Sequence, residues 1–229
     1  MKGLLLKEYY NTRFTILMMM LVEIGCVAIL FFAMFAGGNT NEGVEMNRMD
    51  VLSPIYSTFG FFPYITAVFL SVSFEVDEKC NFSRFIVSTG VKRDTIVLSK
   101  HVLGLIFSIF PLIIVTVVGI VLHVIFPQFF NILNIFEMIV VFATGIFMIN
   151  CFVVFITFTL GSVKGRIVTT FVSLVFVAAL IITTIFGIGM FGGNVLTSSL
   201  ICFISSFVYL LLGILFGALS ITSFRKKNF

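Results

Sequence analysis

Residues 102–126 read VLGLIFSIFPLIIVTVVGIVLHVIF, and these 25 positions hold no Asp, Glu, Lys or Arg. The titratable side chain in the run is His123, close to its far end. A helix of that length is long enough to cross the roughly 30 Å hydrocarbon core of a bilayer, which takes about 20 apolar residues. Working outward, five more stretches have the same character: Phe14–Ala36, Ile55–Phe74, Ile132–Leu160, Ile167–Met190 and Val195–Ser223. The whole chain of 229 residues is 60% hydrophobic and 10% charged, with 31 Phe and no Trp. Soluble domains carry about 25% charged residues, and a protein this small cannot hide so much apolar area from its surroundings. The sequence therefore predicts an all-α membrane protein of six transmembrane helices, forming one domain over residues 1–229.

The basic residues fix an orientation. Lys2, Lys7 and Arg13 precede span 1; Lys79, Arg84, Lys92, Arg93 and Lys100 lie between spans 2 and 3; Lys164 and Arg166 lie between spans 4 and 5; Arg225, Lys226 and Lys227 follow span 6. Of the 14 Lys and Arg residues, Arg48 alone falls on the other side. The positive-inside rule then places both termini in the cytoplasm. The apolar run in residues 1–36 exceeds the 7–15 residues of a signal-peptide core and has no clear small-x-small site after it, so a retained anchor is expected. The net charge of +4 reports this topology and gives no reason to expect nucleic acid as a partner. Cys26, Cys151 and Cys202 sit in apolar runs and Cys80 in a charged loop, without a C-x-x-C pair or a Cys/His cluster. Neither a disulfide framework nor a metal site is expected, and all four read as small buried hydrophobes.

The outer loops are mostly short. The first, Gly37–Pro54, is acidic; the others, Pro127–Asn131 and the region of Gly192–Asn194, carry no charge. The largest soluble piece is the cytosolic segment 75–100. No G-x-x-x-x-G-K-[ST] loop exists, since Gly161-Ser162-Val163-Lys164-Gly165 lacks the spacing. An ATPase of the chain's own is excluded on those grounds, and no H-E-x-x-H or nucleophile motif supports an intramembrane enzyme.

Two cytosolic segments carry more information. Residues 2–13 read KGLLLKEYYNTR, with Leu5, Leu6, Tyr9 and Tyr10 on one helical face. They predict an amphipathic helix on the inner membrane surface leading into span 1, or a plain basic flank for that span. In the segment 75–100, Glu75, Asp77 and Glu78 suit the start of a helix through its dipole. Phe82, Phe85 and Ile86 recur at i, i+3 and i+4 and make a narrow apolar ridge, and Gly90 suits a stop. Asp94 or Thr95 is then placed to cap the helix of span 3. The ridge either docks into a groove on a soluble partner or packs back on the bundle.

The MKGLLLKEYY opening of residues 1–10, the acidic Glu75/Asp77/Glu78 group, the Ser88-Thr89-Gly90-Val91-Lys92-Arg93 turn and Ile96-Val97-Leu98-Ser99-Lys100 entering span 3 resemble type-2 ABC transporter permeases. That family often has Pro where Gly90 stands here. The resemblance extends over the whole chain in size and number of spans. It implies a coupling helix over Asp77–Ser88, with Phe82, Arg84, Phe85 and Ile86 as the contacts to a separate ATP-binding subunit, which binds ATP and Mg while the permease itself needs no cofactor. It also implies a second permease subunit, forming a homodimer or heterodimer in a bacterial plasma membrane. The substrates it points to are hydrophobic or amphipathic peptides or lipid-like molecules. A secondary transporter is the alternative; the lack of visible inverted repeats and the scarcity of charge in mid-membrane speak against it.

Polar groups within the spans are the candidates for a translocation path or gate. Glu23 lies in the middle of span 1, where a charge costs about 2.5–3.5 kcal/mol. The twelve Leu, Ile, Phe and Val residues of Phe14–Ala36 return roughly 5 kcal/mol at about 0.3–0.6 each, so the span still inserts. Glu23 either contacts substrate or holds helices together. His123, near the outer end of span 3, and Glu137, near the outer end of span 4, are expected at similar depth; with Asn131 and Asn134 they could line an outer gate or simply sit near the interface. Pro111 is expected to kink span 3. Gly213 and Gly217 make a G-x-x-x-G for close helix packing in span 6. The cluster of Gly187, Gly189, Gly192 and Gly193 marks either a re-entrant break or a simple turn.

Overall fold

A computed structural model describes residues 2–38, 48–80, 85, 87, 88, 90–125, 127, 132–190 and 195–226. The described residues contain six long helices: α1 (Lys2–Gly38), α2 (Arg48–Lys79), α3 (Arg93–Ile125), α4 (Ile132–Leu160), α5 (Ser162–Met190) and α6 (Val195–Arg225). All six are long and apolar enough to cross a membrane. The protein is an all-α, multi-pass membrane protein. In hydrocarbon a helix satisfies its own backbone groups, which is why each apolar run becomes one.

The α4 helix is the hub and touches α2, α3, α5 and α6; α1 packs on α2 and α3. Rings fill the centre: Phe59 meets Phe62 edge-on at 5.3 Å and Phe142 at 5.8 Å. At the inner end Phe158 contacts Phe74 at 5.4 Å and Phe224 at 4.5 Å. Glycines set the closest approach. A Cβ on Gly213 would stand 2.6 Å from the Phe147 ring and 3.3 Å from the Met148 backbone, and one on Gly217 would meet Cys151 Sγ at 4.0 Å. The G-x-x-x-G of span 6 therefore seats α6 against α4. Polar side chains bond across helices where the packing is tight: Asn150 Nδ2 donates to the Gly104 carbonyl at 2.9 Å and to Ser108 Oγ at 2.8 Å, and the His101 ring bonds Ser220 Oγ at 2.9 Å. The outward faces are apolar, as lipid requires: Phe14, Ile29 and Phe32 on α1 and Phe207 and Ile214 on α6 are exposed.

Several sequence expectations change. Residues 2–13 do not form a separate surface helix but continue unbroken into span 1, giving 37 residues, about 55 Å, well beyond the hydrocarbon thickness. Tyr9 and Tyr10 are exposed, and the face turned inward carries Leu4, Glu8 and Thr12. Glu75, Asp77 and Glu78 do not begin a helix; they close the last turns of α2. The α3 helix starts at Arg93, so Asp94 lies within its first turn and bonds Arg225 instead of capping. The helix of span 3 runs on through Pro111 to Ile125. Cys80 is exposed, unlike the buried Cys151. Gly187 and Gly189 lie within α5, which stays helical to Met190; Gly192, Gly193, Asn131 and Arg48's preceding loop fall outside the described residues.

Candidate functional site

The inner end of the bundle gathers the charges. On a helix, successive residues turn by about 100°, so Glu75 and Glu78 point within about 60° of each other and Asp77 points roughly the opposite way. The contacts follow that geometry. Toward α5, Glu75 accepts from Arg166 at 2.6 Å, and Glu78 Oε2 accepts the Ser162 backbone N–H at 2.6 Å. Ser162 is the first residue of α5, so a carboxylate from α2 satisfies an orphan donor at the positive end of that helix. Gly161, at φ +87°, makes the turn between α4 and α5 and stands against Glu78 Oε1. Only glycine adopts that left-handed backbone without strain. Glu75 also pairs with Lys79, one turn on, at 2.9 Å.

Asp77 turns to the other side, into a group of four charges in which Glu8, Asp77 and Lys100 are buried and Lys7 is half-buried. Lys100 Nζ on α3 lies 2.8 Å from Glu8 Oε2 on α1 and 2.6 Å from Asp77 Oδ2 on α2. Lys7 Nζ bonds Asp77 Oδ1 and stands 3.3 Å from Glu8 Oε1. Two cations and two carboxylates alternate in a ring, and the side chains of Glu8 and Lys100 are each 3% exposed. Lys100 also sits over the Phe74 ring at 4.9 Å, a cation–π contact. Isolated charges in such a place are prohibitive; a closed, neutral ring is tolerated because every charge faces two opposite ones. Nothing in the sequence pairs these residues, since Glu8, Asp77 and Lys100 come from three separate spans. The available signals were weaker: an acid next to a lysine in the inward-facing part of α1, and a lysine at the very mouth of an apolar run.

Asp77 and Lys100 are also the two stems of the segment 75–100, and their bond clamps it at its base. Within it, Phe85, Val87 and Ser88 are helical, and the Ser88 hydroxyl donates to the Phe85 carbonyl at 2.6 Å. Gly90, at φ +83°, ends the turn with its N–H on the Val87 carbonyl at 3.1 Å. Val87 and Val91 pack against the core, whereas Phe85 is 63% exposed. Two valines outside the expected ridge hold the segment to the bundle, while Phe85 of the ridge is exposed. Phe82, Arg84 and Ile86 lie outside the described residues.

The three spanning candidates are separated. Glu23 is fully buried, and neither of its carboxyl oxygens has a hydrogen-bond partner among the described residues. Glu137 is buried and His123 half-buried on neighbouring helices, where a Cβ on Gly119 would meet Ile135 at 3.0 Å and Met138 at 3.1 Å. That close approach makes Gly119 level with Ile135 and Met138, so Glu137 lies beside Gly119 and His123 about one helical turn further along α3, while Glu23 belongs to α1.

A bundle of six spans with a clamped inner loop matches what a membrane transport subunit needs, and a comparison with protein families agrees. The family described as ABC-2 family transporter protein matches residues 3–225. The chain belongs to that family. It is a permease of the type-2 ABC class, the membrane transport component and not itself the ATPase, and membership implies association with an ABC ATP-binding subunit. No curated protein and no solved structure matches this ABC-2 permease.

Proposed function

We propose that this permease forms the translocation path of an ATP-driven exporter together with a second permease subunit, and that separate ATP-binding subunits drive it by gripping the segment 75–100. Phe82, Arg84, Phe85 and Ile86 form the contact, with ATP and Mg held by the partner. The observation that carries this reading is the contrast between Phe85, exposed and apolar on a helical turn, and the largely buried ring of Lys7, Glu8, Asp77 and Lys100 at the base of the same segment. An exposed ring on a tethered lever is suited to receive force. The charged ring beneath it joins α1, α2 and α3, so displacement of the loop moves three spans together. The clustering of basic residues at this end supports a topology with this end and both termini in the cytoplasm, in the plasma membrane of a bacterial cell. His123 and Glu137 then form part of the outer gate. The apolar faces of α1 and α6 suit a hydrophobic or amphipathic peptide or a lipid-like substrate.

The test is co-purification from the native host. Wild-type permease brings an ATPase with it; the Phe85→Asp variant, inserted at normal abundance, loses it. Retention of the ATPase at full yield by Phe85→Asp would remove the coupling assignment.

A further inference from the structure

Glu23 is a buried acid whose carboxyl oxygens find no hydrogen-bond partner among the described residues. The ion pairs at the inner end give the register of the helices around it. The α1 helix runs antiparallel to α2, with Lys7 beside Asp77, and parallel to α3, with Glu8 beside Lys100. Glu23 lies sixteen residues beyond Lys7 (23 − 7), roughly 24 Å along the helix. It is therefore level with residue 61 of α2 (77 − 16) and residue 115 of α3 (100 + 15). Phe59, Phe62 and Val115, which surround that level, are all fully buried. Between Asp50 and Glu75 the titratable side chains of α2 are Tyr56 and Tyr64, and between His101 and His123 α3 has none. Lys7 and Lys100 are a full bundle's half-length away and already hold two carboxylates. On α1 itself the neighbouring titratable group is Cys26, one turn on.

We propose that Glu23 is the recognition point for the positive head of an alkylammonium-type amphiphile, an organic cation with an apolar tail. This deepens the exporter reading and rests on it. A carboxyl without a hydrogen-bond partner among the described residues, in a layer of apolar rings, selects for the one property the layer lacks, which is positive charge. The tail has a ready surface: Leu21 and Ile24, on either side of Glu23 in sequence, are exposed on the lipid face of α1. An amphiphile lying in the bilayer against that face brings its head to Glu23 when α1 parts from α2 and α3. The buried charged ring ties the inner end of α1 to those same two helices, so the movement that frees Glu23 is one the cytosolic loop commands.

The experiment uses the full chain in lipid nanodiscs. Dicyclohexylcarbodiimide, an apolar reagent for buried carboxyls, modifies Glu23, and the modified peptide is followed by mass spectrometry. Two probes are compared: decyltrimethylammonium, and its uncharged carbon isostere 2,2-dimethyldodecane. The proposal expects the cation to slow modification of Glu23 at least tenfold in a saturable manner, with the isostere having no effect and modification of Glu137 unchanged. Glu23→Asp is expected to keep the protection at a higher probe concentration. Equal protection by both probes, or by neither, overturns the proposal. Because the readout needs no ATPase, a negative result here with normal ATPase co-purification refutes the Glu23 site alone, whereas protection without ATPase co-purification refutes the exporter reading and leaves the site standing.

Discussion

Replacing Lys100 by Met is the most informative perturbation of the inner end. The side chains are similar in length, so the packing against Phe74 is largely kept, and the change is in charge. The wild-type ring holds two cations and two carboxylates. Without Lys100, Lys7 alone must serve both Glu8 and Asp77, and two charge-assisted hydrogen bonds of 2.8 and 2.6 Å are lost. Such bonds contribute about 1.5–3 kcal/mol each, and breaking a buried pair by removing one partner costs about 3–5 kcal/mol. The expected loss is therefore about 3–5 kcal/mol, a factor of roughly one hundred to a few thousand in the folded-to-unfolded ratio. The assay is reversible unfolding in mixed micelles, titrated with a denaturing detergent. A double-mutant cycle separates the ring from general damage. Adding Asp77→Asn to Lys100→Met removes one charge of each sign and restores neutrality among Lys7 and Glu8. The double variant should be less destabilised than the sum of the single ones, with an interaction energy of about 1–3 kcal/mol. If Lys100→Met unfolds with the wild-type midpoint, or if the two losses simply add, the ring does not hold α1 to α2 and α3.

Other substitutions test other contacts. Gly213→Val forces a side chain into Phe147 and the Met148 backbone, so the α4–α6 seam should lose about 1–3 kcal/mol, read as a lowered thermal midpoint in detergent. Gly161→Val places a β-branched residue at φ +87° and should cost about 1–3 kcal/mol by the same measurement. Glu78→Gln keeps the shape of the cap on Ser162 but weakens it, with an expected loss of about 0.5–2 kcal/mol. Asp94→Asn removes the ion pair with Arg225, where both side chains are largely exposed; screening by water predicts a midpoint within error of wild type.

The six spans were legible because lipid leaves the backbone one local solution, and the run from 102 to 126 has no charge to interrupt it. Helix ends were less so. The α2 helix extends past Phe74 to Lys79 because Glu75, Asp77 and Glu78 find partners on α1, α3 and α5, and local charge preference, which favours acids at helix starts, loses to those tertiary contacts. The same competition turned residues 2–13 from a surface helix into a continuation of α1: the acid at position 8 is worth more against Lys100 than in water at the membrane surface. The split role of the loop was also hidden. An i, i+3, i+4 ridge does not say that Val87 and Val91 anchor while Phe85 faces out, because the anchoring depends on the long-range clamp between Asp77 and Lys100. Glu23 stood out from sequence by its position in an apolar run; what the fold adds is that it is fully buried and its carboxyl oxygens meet no hydrogen-bond partner among the described residues.

The central claim is that the basic end of the bundle faces the cytoplasm and presents Phe85 to an ATPase. A photo-reactive phenylalanine analogue placed at position 85 in living cells tests it directly, with Val124, 73% exposed at the opposite end of α3, as the comparison site. Irradiation should give an adduct with an ATP-binding subunit from position 85 and none from position 124. An ATPase adduct from position 124, or its absence from position 85 at full incorporation, would contradict the account.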